Sequence, residues 1–183
     1  MERSDEEIVG RVVAGRTKEF GILVERYQRQ VFNLMYRFSR SDHEAADLTQ
    51  EVFLRAFEKI GSFRKGTRFF PWLYTLALNR ARDWSRKGGR RRRYESENDW
   101  NGKPAGAALE STAEEILLRA EDVRRLRQAL DLFPDDMREL LLLRYQHECS
   151  VSEVAEIFSI SESAVKMRTS RGLKRLQELM KKQ

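Results

Sequence analysis

Cysteine, proline and glycine are all scarce in this sequence of 183 residues. It has one cysteine (Cys149), three prolines and ten glycines, whereas charged side chains make up 35% of the chain. A single thiol excludes an internal disulfide framework and fits a reducing compartment. Few helix breakers among many charged residues favour a helical protein.

Long hydrophobic runs are also missing. The longest one, FFPWLYTLAL at positions 69–78, contains Pro71 and is too short to span a bilayer. The N-terminal stretch MERSDEEIVG is acidic and has no apolar centre, so it does not match a signal peptide. We therefore expect a soluble, cytoplasmic protein.

Residues that bind metals or form catalytic centres are few. His43 and His147 are the only histidines, and the HEC segment at 147–149 has no second cysteine with which to complete a metal site. The segment GSFRKGT at 61–67 has the glycine spacing of a phosphate-binding loop. It lacks the lysine that such a loop has between the second glycine and the threonine, here Gly66 and Thr67, and no predicted strand precedes it. No nucleophile–base pair has a supporting context. We expect no metal, no cofactor and no enzymatic activity.

The formal net charge of +6 indicates an anionic partner, either a nucleic acid or a membrane surface. That balance alone does not choose between the two.

Apolar residues recur in steps of three and four over much of the chain, which predicts helices. The segments SDEE at 4–7 and SDHE at 41–44 have the capping-box pattern of helix starts. A further helix is predicted from about 70 to 86, with Pro71 acceptable in its first turn. No stretch alternates convincingly at period two, so we expect no sheet.

The composition changes after the basic segment RKGGRRRR at 86–93. An acidic segment rich in small residues follows, almost without apolar periodicity, and the capping-box pattern STAE at 111–114 restarts helical structure. We predict an all-α fold of two small helical domains, 1–93 and 113–183, joined by a flexible acidic linker at 94–112.

The segment DLTQEVFLRAF at 47–57 has an unusual polar face. An acid, an amide and a second acid share it at helical spacing, followed by a base: Asp47, Gln50, Glu51 and Arg55. Leu48, Val52, Ala56 and Ile60 line the opposite, inward side. The polar face is either solvated surface or a docking site for a partner.

The segment at 150–176 has the pattern of a helix-turn-helix. Ser150 and Glu153 form a capping box for a short helix, and Ser161 caps a second helix after a tight turn. Glycine is the usual turn residue, so Ser159 implies slight strain or a geometry that is not left-handed.

The outward face of the second helix carries hydroxyls and bases, which suit major-groove edges and phosphates. These residues are Ser163, Lys166, Met167, Ser170, Arg171 and Lys174. The alternative is an ordinary helical hairpin with a basic solvent side.

Aromatic residues lie beside bases near the end of the first domain. Phe63, Phe69, Phe70 and Trp72 occur in and next to a predicted loop. Single-stranded nucleic acid stacks on aromatic rings while cations contact its phosphates. The same aromatic residues also suit a hydrophobic core, so composition leaves both interpretations open.

Taken together, these segments resemble a known family. LVERYQRQVFNLMYRF, DHEAADLTQEVFLRAF and FFPWLYTLALNRARDWSRK resemble the first half of the sigma factors of bacterial RNA polymerase. LFPDDMRELLLLRYQHECSVSEVAEIFSISESAVKMRTSRGLKRL resembles their promoter-binding second half. The two-domain layout is similar to the extracytoplasmic-function (ECF) subgroup, and the resemblance covers nearly the whole chain outside the first residues and the linker.

The resemblance implies a role for each segment. The polar face with Asp47, Gln50, Glu51 and Arg55 would contact the β′ clamp helices of core RNA polymerase. The loop at 62–69 would help to capture a flipped base. The residues implied in minus-ten promoter recognition are Phe63, Trp72, Asn79, Arg80 and Asp83.

The helix-turn-helix would place its second helix in the major groove of the minus-thirty-five element. The helices before it would contact the polymerase β flap, and the linker would extend toward the RNA exit channel. An anti-sigma protein would be the regulator. Two positions depart from the family pattern: Leu78 replaces a common basic residue, and Gly172 replaces a common alanine at an expected cost of about 1 kcal/mol in helix stability.

Two other functions remain open on the residues alone. A stand-alone helix-turn-helix regulator would bind duplex DNA tightly without polymerase, usually as a dimer. A protein-interaction module would use the basic segment to bind RNA or a membrane. The DLTQE face has no role in the stand-alone regulator. The interaction module predicts instead that neutralising the charges of Arg90 to Arg93 abolishes function while changes at Arg171 do not.

Overall fold

The computed structural model describes residues 3–89 and 113–181, with side chains at 3–87 and 121–181. The chain divides into two compact units between residues 100 and 101, so the first described range lies in one unit and the second range in the other. The linker predicted at 94–112, and with it the STAE cap, lies outside the described residues.

Within residues 3–89, the first unit has four α-helices: α1 (Asp5–Val13), α2 (Phe20–Ser39), α3 (Asp42–Lys59) and α4 (Phe69–Trp84). Short 3-10 turns occur at Thr17–Glu19 and Ile60–Ser62, and a π-helical turn at Ser85–Gly89 follows α4. Helix α2 packs against α3 and α4, which also pack against each other. The inward stripe predicted for α3, from Leu48 to Ile60, is buried.

Capping explains where these helices begin. Ser4 and Glu7 form the predicted capping box of α1, with both hydrogen bonds at 3.2 Å. Ser41 caps α3 by accepting the Glu44 N–H at 3.4 Å. The Glu44 carboxylate accepts a hydrogen bond from the Trp84 indole at 3.0 Å, so it also connects α3 to the end of α4.

Helix α1 is attached to the rest of this unit by acidic residues in its first turn. Asp5 accepts hydrogen bonds from the Arg26 guanidinium, at 2.6 Å, and from the Tyr27 hydroxyl. Glu6 accepts the Phe69 N–H at 3.2 Å, at the start of α4, where the N-cap residue supplies no side-chain hydrogen bond. Glu6 therefore caps α4 from another helix.

The second unit contains α5 (Ala113–Asp131), α6 (Asp135–Tyr145), α7 (Val151–Phe158) and α8 (Glu162–Lys181). Helix α8 packs against the other three. Helices α7 and α8 form the predicted helix-turn-helix: Ser150 and Glu153 make the expected capping box, and Ser161 accepts the Ala164 N–H at 3.2 Å.

The turn between α7 and α8 is left-handed at Ser159, with φ 54° and ψ 46°. Of the two outcomes expected for a serine here, the structure therefore has the strained one. The Ile160 N–H donates to the Ala155 carbonyl at 3.0 Å, which closes the end of α7 across the turn.

Gly172 occupies a close approach between α8 and α6. A Cβ built on Gly172 would lie 3.1 Å and 3.2 Å from the Leu141 methyl carbons and 3.3 Å from the Met137 sulfur. The expected cost in helix propensity is thus accompanied by a packing role, because an alanine here would require those side chains to move.

The described residues are helical or lie in turns and connections, with no strand among them, so the predicted all-α class and the helix-turn-helix of the second unit are confirmed. None of the helices in the part of the chain that the structure describes is long and apolar enough to cross a membrane.

Candidate functional site

The outer face of α3 exposes every residue that the sequence placed there. Asp47, Gln50, Glu51 and Arg55 are all exposed, while the opposite side of the helix packs inward. His43, one turn before Asp47, lies 3.3 Å from its carboxylate. This face is accessible for a partner.

Two apolar side chains on α3 were missed by the sequence analysis. Leu54 is 65% exposed and Phe57 is 39% exposed. Leu54 follows Gln50 by four positions and Glu51 by three, so it lies on the polar face itself. Its position outside the inward stripe was the available signal, because a large apolar residue there has no packing role within the helix bundle.

Arg80 connects the polar face of α3 to α4. Its Nε lies 2.5 Å from Oε2 of Glu51, and its side chain is 18% exposed against 52% for Glu51. The hydrogen bond from Arg80 lowers the pKa of the Glu51 carboxyl below its ordinary value, with smaller contributions from Arg55 and Lys87. The structure therefore brings together one residue expected to contact polymerase and one expected to contact DNA.

The end of α4 is polar on its outer side. Asn79 is exposed and Asp83 is half-buried. Asp83 forms an ion pair with Arg86, and the hydrogen bond from Arg86 lowers the pKa of the Asp83 carboxyl. Leu78, in contrast, is fully buried, so this departure from the family pattern is a core residue.

The four aromatic residues near the loop divide into two pairs. Phe69 and Phe70 are buried, as the core interpretation expected. Phe63 and Trp72 are half-buried, with their ring centroids 5.6 Å apart at nearly perpendicular planes. Only Phe63 and Trp72 therefore present ring surface to solvent at the start of α4.

The outer face of α8 also matches the prediction. Ser163, Lys166, Met167, Ser170, Arg171 and Lys174 are all exposed. Arg168, which was not among the predicted residues, is exposed as well; it precedes Arg171 by three positions, so the two bases are neighbours on the helix surface. Among the described residues no group of acidic, histidine or cysteine side chains has the arrangement of a metal site.

Comparison with known proteins identifies the family of this chain. The family model for Sigma-70 region 2 matches residues 23–91, and the model for Sigma-70, region 4 matches residues 123–176. The RNA polymerase sigma-H factor of Pseudomonas aeruginosa is 31% identical over 175 residues, which cover 93% of this chain and 90% of that protein. The chain is a sigma factor of the sigma-70 family.

Further relatives place this sigma factor in the ECF subgroup. The ECF RNA polymerase sigma-E factor of Escherichia coli is 33% identical over 175 residues, covering 92% of this chain and 90% of that protein. The expected family is therefore confirmed. A stand-alone helix-turn-helix regulator does not fit this membership.

Solved structures agree with the fold. The sigma factor RpoE of Bartonella quintana, solved in complex with the anti-sigma factor NepR, has a TM-score of 0.65 and 25% identity over 90% of this chain and 98% of that one. CnrH, solved in complex with the cytosolic domain of CnrY, has a TM-score of 0.68 and 21% identity over 98% of each chain, a likeness of fold. The region 2 match includes all of α3 and α4, and the region 4 match includes all of α7.

Proposed function

We propose that this sigma factor binds the β′ clamp helices of core RNA polymerase through the outer face of α3. It then directs the polymerase to promoters by contacting two DNA elements, one with α4 and its preceding loop and one with α8. The protein acts in the cytoplasm by binding alone and supplies no catalytic residue of its own.

The exposed face of α3 is the observation that supports this proposal most strongly. Leu54 is 65% exposed and shares its face with Gln50 and Glu51, one turn before it, and with Asp47, two turns before it. A central apolar side chain within a polar rim is typical of protein interfaces, in which the apolar anchor supplies affinity. Paired charges and an amide determine orientation on the partner. Arg55 extends the same face.

Minus-ten recognition is assigned to the outer side of α4. Asn79 offers an exposed amide that can hydrogen-bond to an unpaired base, and Arg80 and Asp83 lie on the same side. Phe63 and Trp72 supply aromatic surface on which a base that has left the duplex can stack. The mixture of amide, cation and aromatic ring suits a melted strand better than a closed duplex.

Minus-thirty-five recognition is assigned to α8. Lys166, Arg171 and Lys174 can contact phosphates or guanine edges, and Ser163 and Ser170 can hydrogen-bond to either. Met167 is 48% exposed and offers an apolar contact for a thymine methyl group. Arg168 adds another cation at the same level of the helix.

Two further partners follow from the family. The helices that precede the helix-turn-helix are assigned to the polymerase β flap. An anti-sigma protein is assigned as the regulator, since the related RpoE of Bartonella quintana was solved in complex with one.

Run-off transcription with bacterial core polymerase tests this function. Purified protein should direct transcripts from a shared two-part promoter motif in genomic DNA. The double variant Asp47→Ala, Leu54→Ala should lower affinity for core polymerase by at least about 30-fold, as expected for removal of an interface anchor, and should abolish those transcripts at limiting protein concentration.

Glu25→Ala is the matched control, because Glu25 is an exposed carboxylate on α2. It should leave polymerase affinity and transcription unchanged. Equal polymerase affinity in the wild type and the α3 double variant would refute the assignment of this face.

A further inference from the structure

The ion pair between Glu51 and Arg80 joins two helices through residues 29 positions apart in the chain. Its Nε–Oε2 distance is 2.5 Å, and the stem of Arg80 is largely covered, since 18% of its side chain is exposed. Ion pairs between fully exposed groups contribute little. This pair is half-covered and is therefore better fixed than an ordinary surface contact.

The pair leaves hydrogen-bonding capacity on both side chains. Among the described residues, Glu51 is the one polar partner of Arg80, and it contacts Nε alone. The two terminal amino groups of Arg80 have no hydrogen-bond partner among the described residues. Since neither is a buried polar atom without a partner, both are accessible to solvent. Oε1 of the half-exposed Glu51 carboxylate makes no hydrogen bond to another described residue.

We infer that Glu51 is a positioning residue for Arg80: it holds the Nε edge of the guanidinium so that the terminal amino groups face the unpaired promoter strand. The inference rests on the proposed function, because it requires α4 to contact that strand. It gives Glu51 a role in DNA binding in addition to the polymerase contact assigned to it.

Preorganisation is the physical reason for this role. A free arginine side chain loses much rotamer freedom when it binds a phosphate, and fixing it beforehand lowers that cost. A carboxylate on Nε leaves the outer pair of N–H groups in the fork geometry that matches phosphate oxygens. Asp83 does not compete for Arg80, since its ion pair is with Arg86.

The neighbouring cations do not replace Arg80 in this arrangement. Arg55 and Lys87 act on Glu51 through charge, whereas Arg80 is the residue that donates a hydrogen bond to it. Of these three cations, Arg80 alone is held in a defined orientation by the Glu51 carboxylate, as a positioning role requires.

A double-mutant cycle on the assembled holoenzyme tests the inference. Wild type, Glu51→Ala, Arg80→Ala and the double variant are each saturated with core polymerase, and their affinity is measured for a fork-junction DNA with an unpaired non-template minus-ten strand. We expect Arg80→Ala to weaken binding about tenfold and Glu51→Ala about fivefold, whereas the double variant should be no weaker than Arg80→Ala.

Salt dependence separates positioning from a purely structural link between α3 and α4. Loss of one phosphate contact to a single strand lowers the slope of log affinity against log salt by about 0.7. Arg80→Ala should lower it by this amount, and Glu51→Ala, in which Arg80 keeps its charge but loses its fixed position, should lower it by part of this amount. A structural link alone would reduce the melting temperature of the unit and leave the slope unchanged.

Two more variants complete the design. Glu51→Gln keeps an oxygen that accepts the Arg80 Nε–H, so it should retain the melting temperature and weaken fork binding only about twofold. Glu58→Ala removes another exposed carboxylate of α3 and should leave fork binding unchanged.

Two results would overturn the positioning role: a double variant about fivefold weaker than Arg80→Ala, or a Glu51→Ala holoenzyme that binds the fork like wild type. Failure of the proposed polymerase contact is recognised separately, because each variant's affinity for core polymerase is measured without DNA. If Glu51→Ala binds core polymerase as tightly as the wild type, Glu51 makes no important contact with polymerase. The fork measurement still decides whether Glu51 positions Arg80.

Discussion

Arg138 is a buried guanidinium surrounded by three carboxylates. Its side chain is 2% exposed and lies 2.8 Å from Asp135, 3.3 Å from Asp131 and 3.6 Å from Glu139, which is itself fully buried. Buried ion pairs add little net stability over an apolar core, but removing one partner leaves an uncompensated charge. The ion pairs of Arg138 therefore add little net stability, but replacing Arg138 alone should strongly destabilise the second unit.

We predict that Arg138→Ala lowers the free energy of unfolding of the second unit by about 3 kcal/mol or more. Chemical denaturation of the full chain, followed by circular dichroism, measures the change. Arg124→Ala is the matched control, because Arg124 is 66% exposed and lies 3.7 Å from Glu121; its effect should stay within about 0.5 kcal/mol. A similarly small effect of Arg138→Ala would contradict the prediction.

Tyr27 couples the stability of the first unit to alkaline pH. Burial, and then the hydrogen bond that its hydroxyl donates to Asp5, raise the pKa of Tyr27 above its ordinary value. The folded state therefore holds this proton more tightly than the unfolded state. The resulting stability is complete below the unfolded pKa of about 10 and is lost as the pH rises above it.

We predict that Tyr27→Phe costs about 1 kcal/mol at pH 8, because a hydrogen bond to a charged group is lost. The variant lacks the additional loss above pH 10, so its stability should approach that of the wild type as the pH rises. Chemical denaturation of both proteins from pH 8 to pH 11 measures the difference between their free energies of unfolding. The other titrating groups are the same in both proteins, so their contributions cancel in this difference. A constant difference across the range would exclude the Tyr27 coupling.

At the scale of elements, the turn between α7 and α8 determines the orientation of α8, the helix to which minus-thirty-five recognition is assigned. Ser159 is exposed and has a positive φ, so its side chain contributes strain without packing. Serine in the left-handed region costs about 1–2 kcal/mol relative to glycine, which is offset in part by the greater freedom of glycine in the unfolded chain.

We predict that Ser159→Gly stabilises the second unit by about 0.5–1 kcal/mol. Ser159→Val should destabilise it by more than about 1 kcal/mol, because a β-branched residue is unfavourable at positive φ. Thermal melts of the full chain compare the three proteins. The same order in fork-DNA affinity is not expected, since the minus-ten contacts are assigned to the other unit. A stabilising valine would show that the turn is not left-handed in solution.

At the scale of the whole molecule, DNA contacts are assigned to both compact units of one chain. The net charge of +6 supports attraction to DNA in general, but the exposed faces of α4 and α8 differ in chemistry. The face formed by α4 and its preceding loop combines an amide and a cation with aromatic rings, whereas the face of α8 carries hydroxyls and cations without an aromatic ring. Each face should therefore recognise a different form of DNA.

We predict that the two DNA contacts of the holoenzyme can be weakened separately. The double variant Lys166→Ala, Arg171→Ala should lower affinity for a duplex containing the minus-thirty-five element about tenfold or more. It should leave the affinity for fork-junction DNA within about twofold of the wild type. Asn79→Ala should have the reverse effect. Fluorescence anisotropy with each DNA measures both affinities, and a variant that weakens both by the same factor would contradict the separation of roles.

Much of this molecule follows from local sequence patterns. Helix starts at Ser4 and Ser150 depend on residues three positions apart, and the inward stripe of α3 repeats with the helical period. Exposure of Lys166 and Arg171 follows from the same period on α8, because a residue's face on a helix is determined by its spacing from the buried residues. These features involve few contacts between distant segments.

Tertiary structure alone decided which distant residues meet. The sequence gives no distance between Glu51 and Arg80, between Glu6 and the Phe69 N–H, or between Gly172 and Leu141, because each depends on how two helices cross. The packing of α3 against α4 also brings Glu44 to Trp84. The packing of α4 in the bundle buries Phe69, whereas Phe63 in the preceding loop is half-buried. Helical period determines the face that a side chain occupies, whereas packing between helices determines its partner.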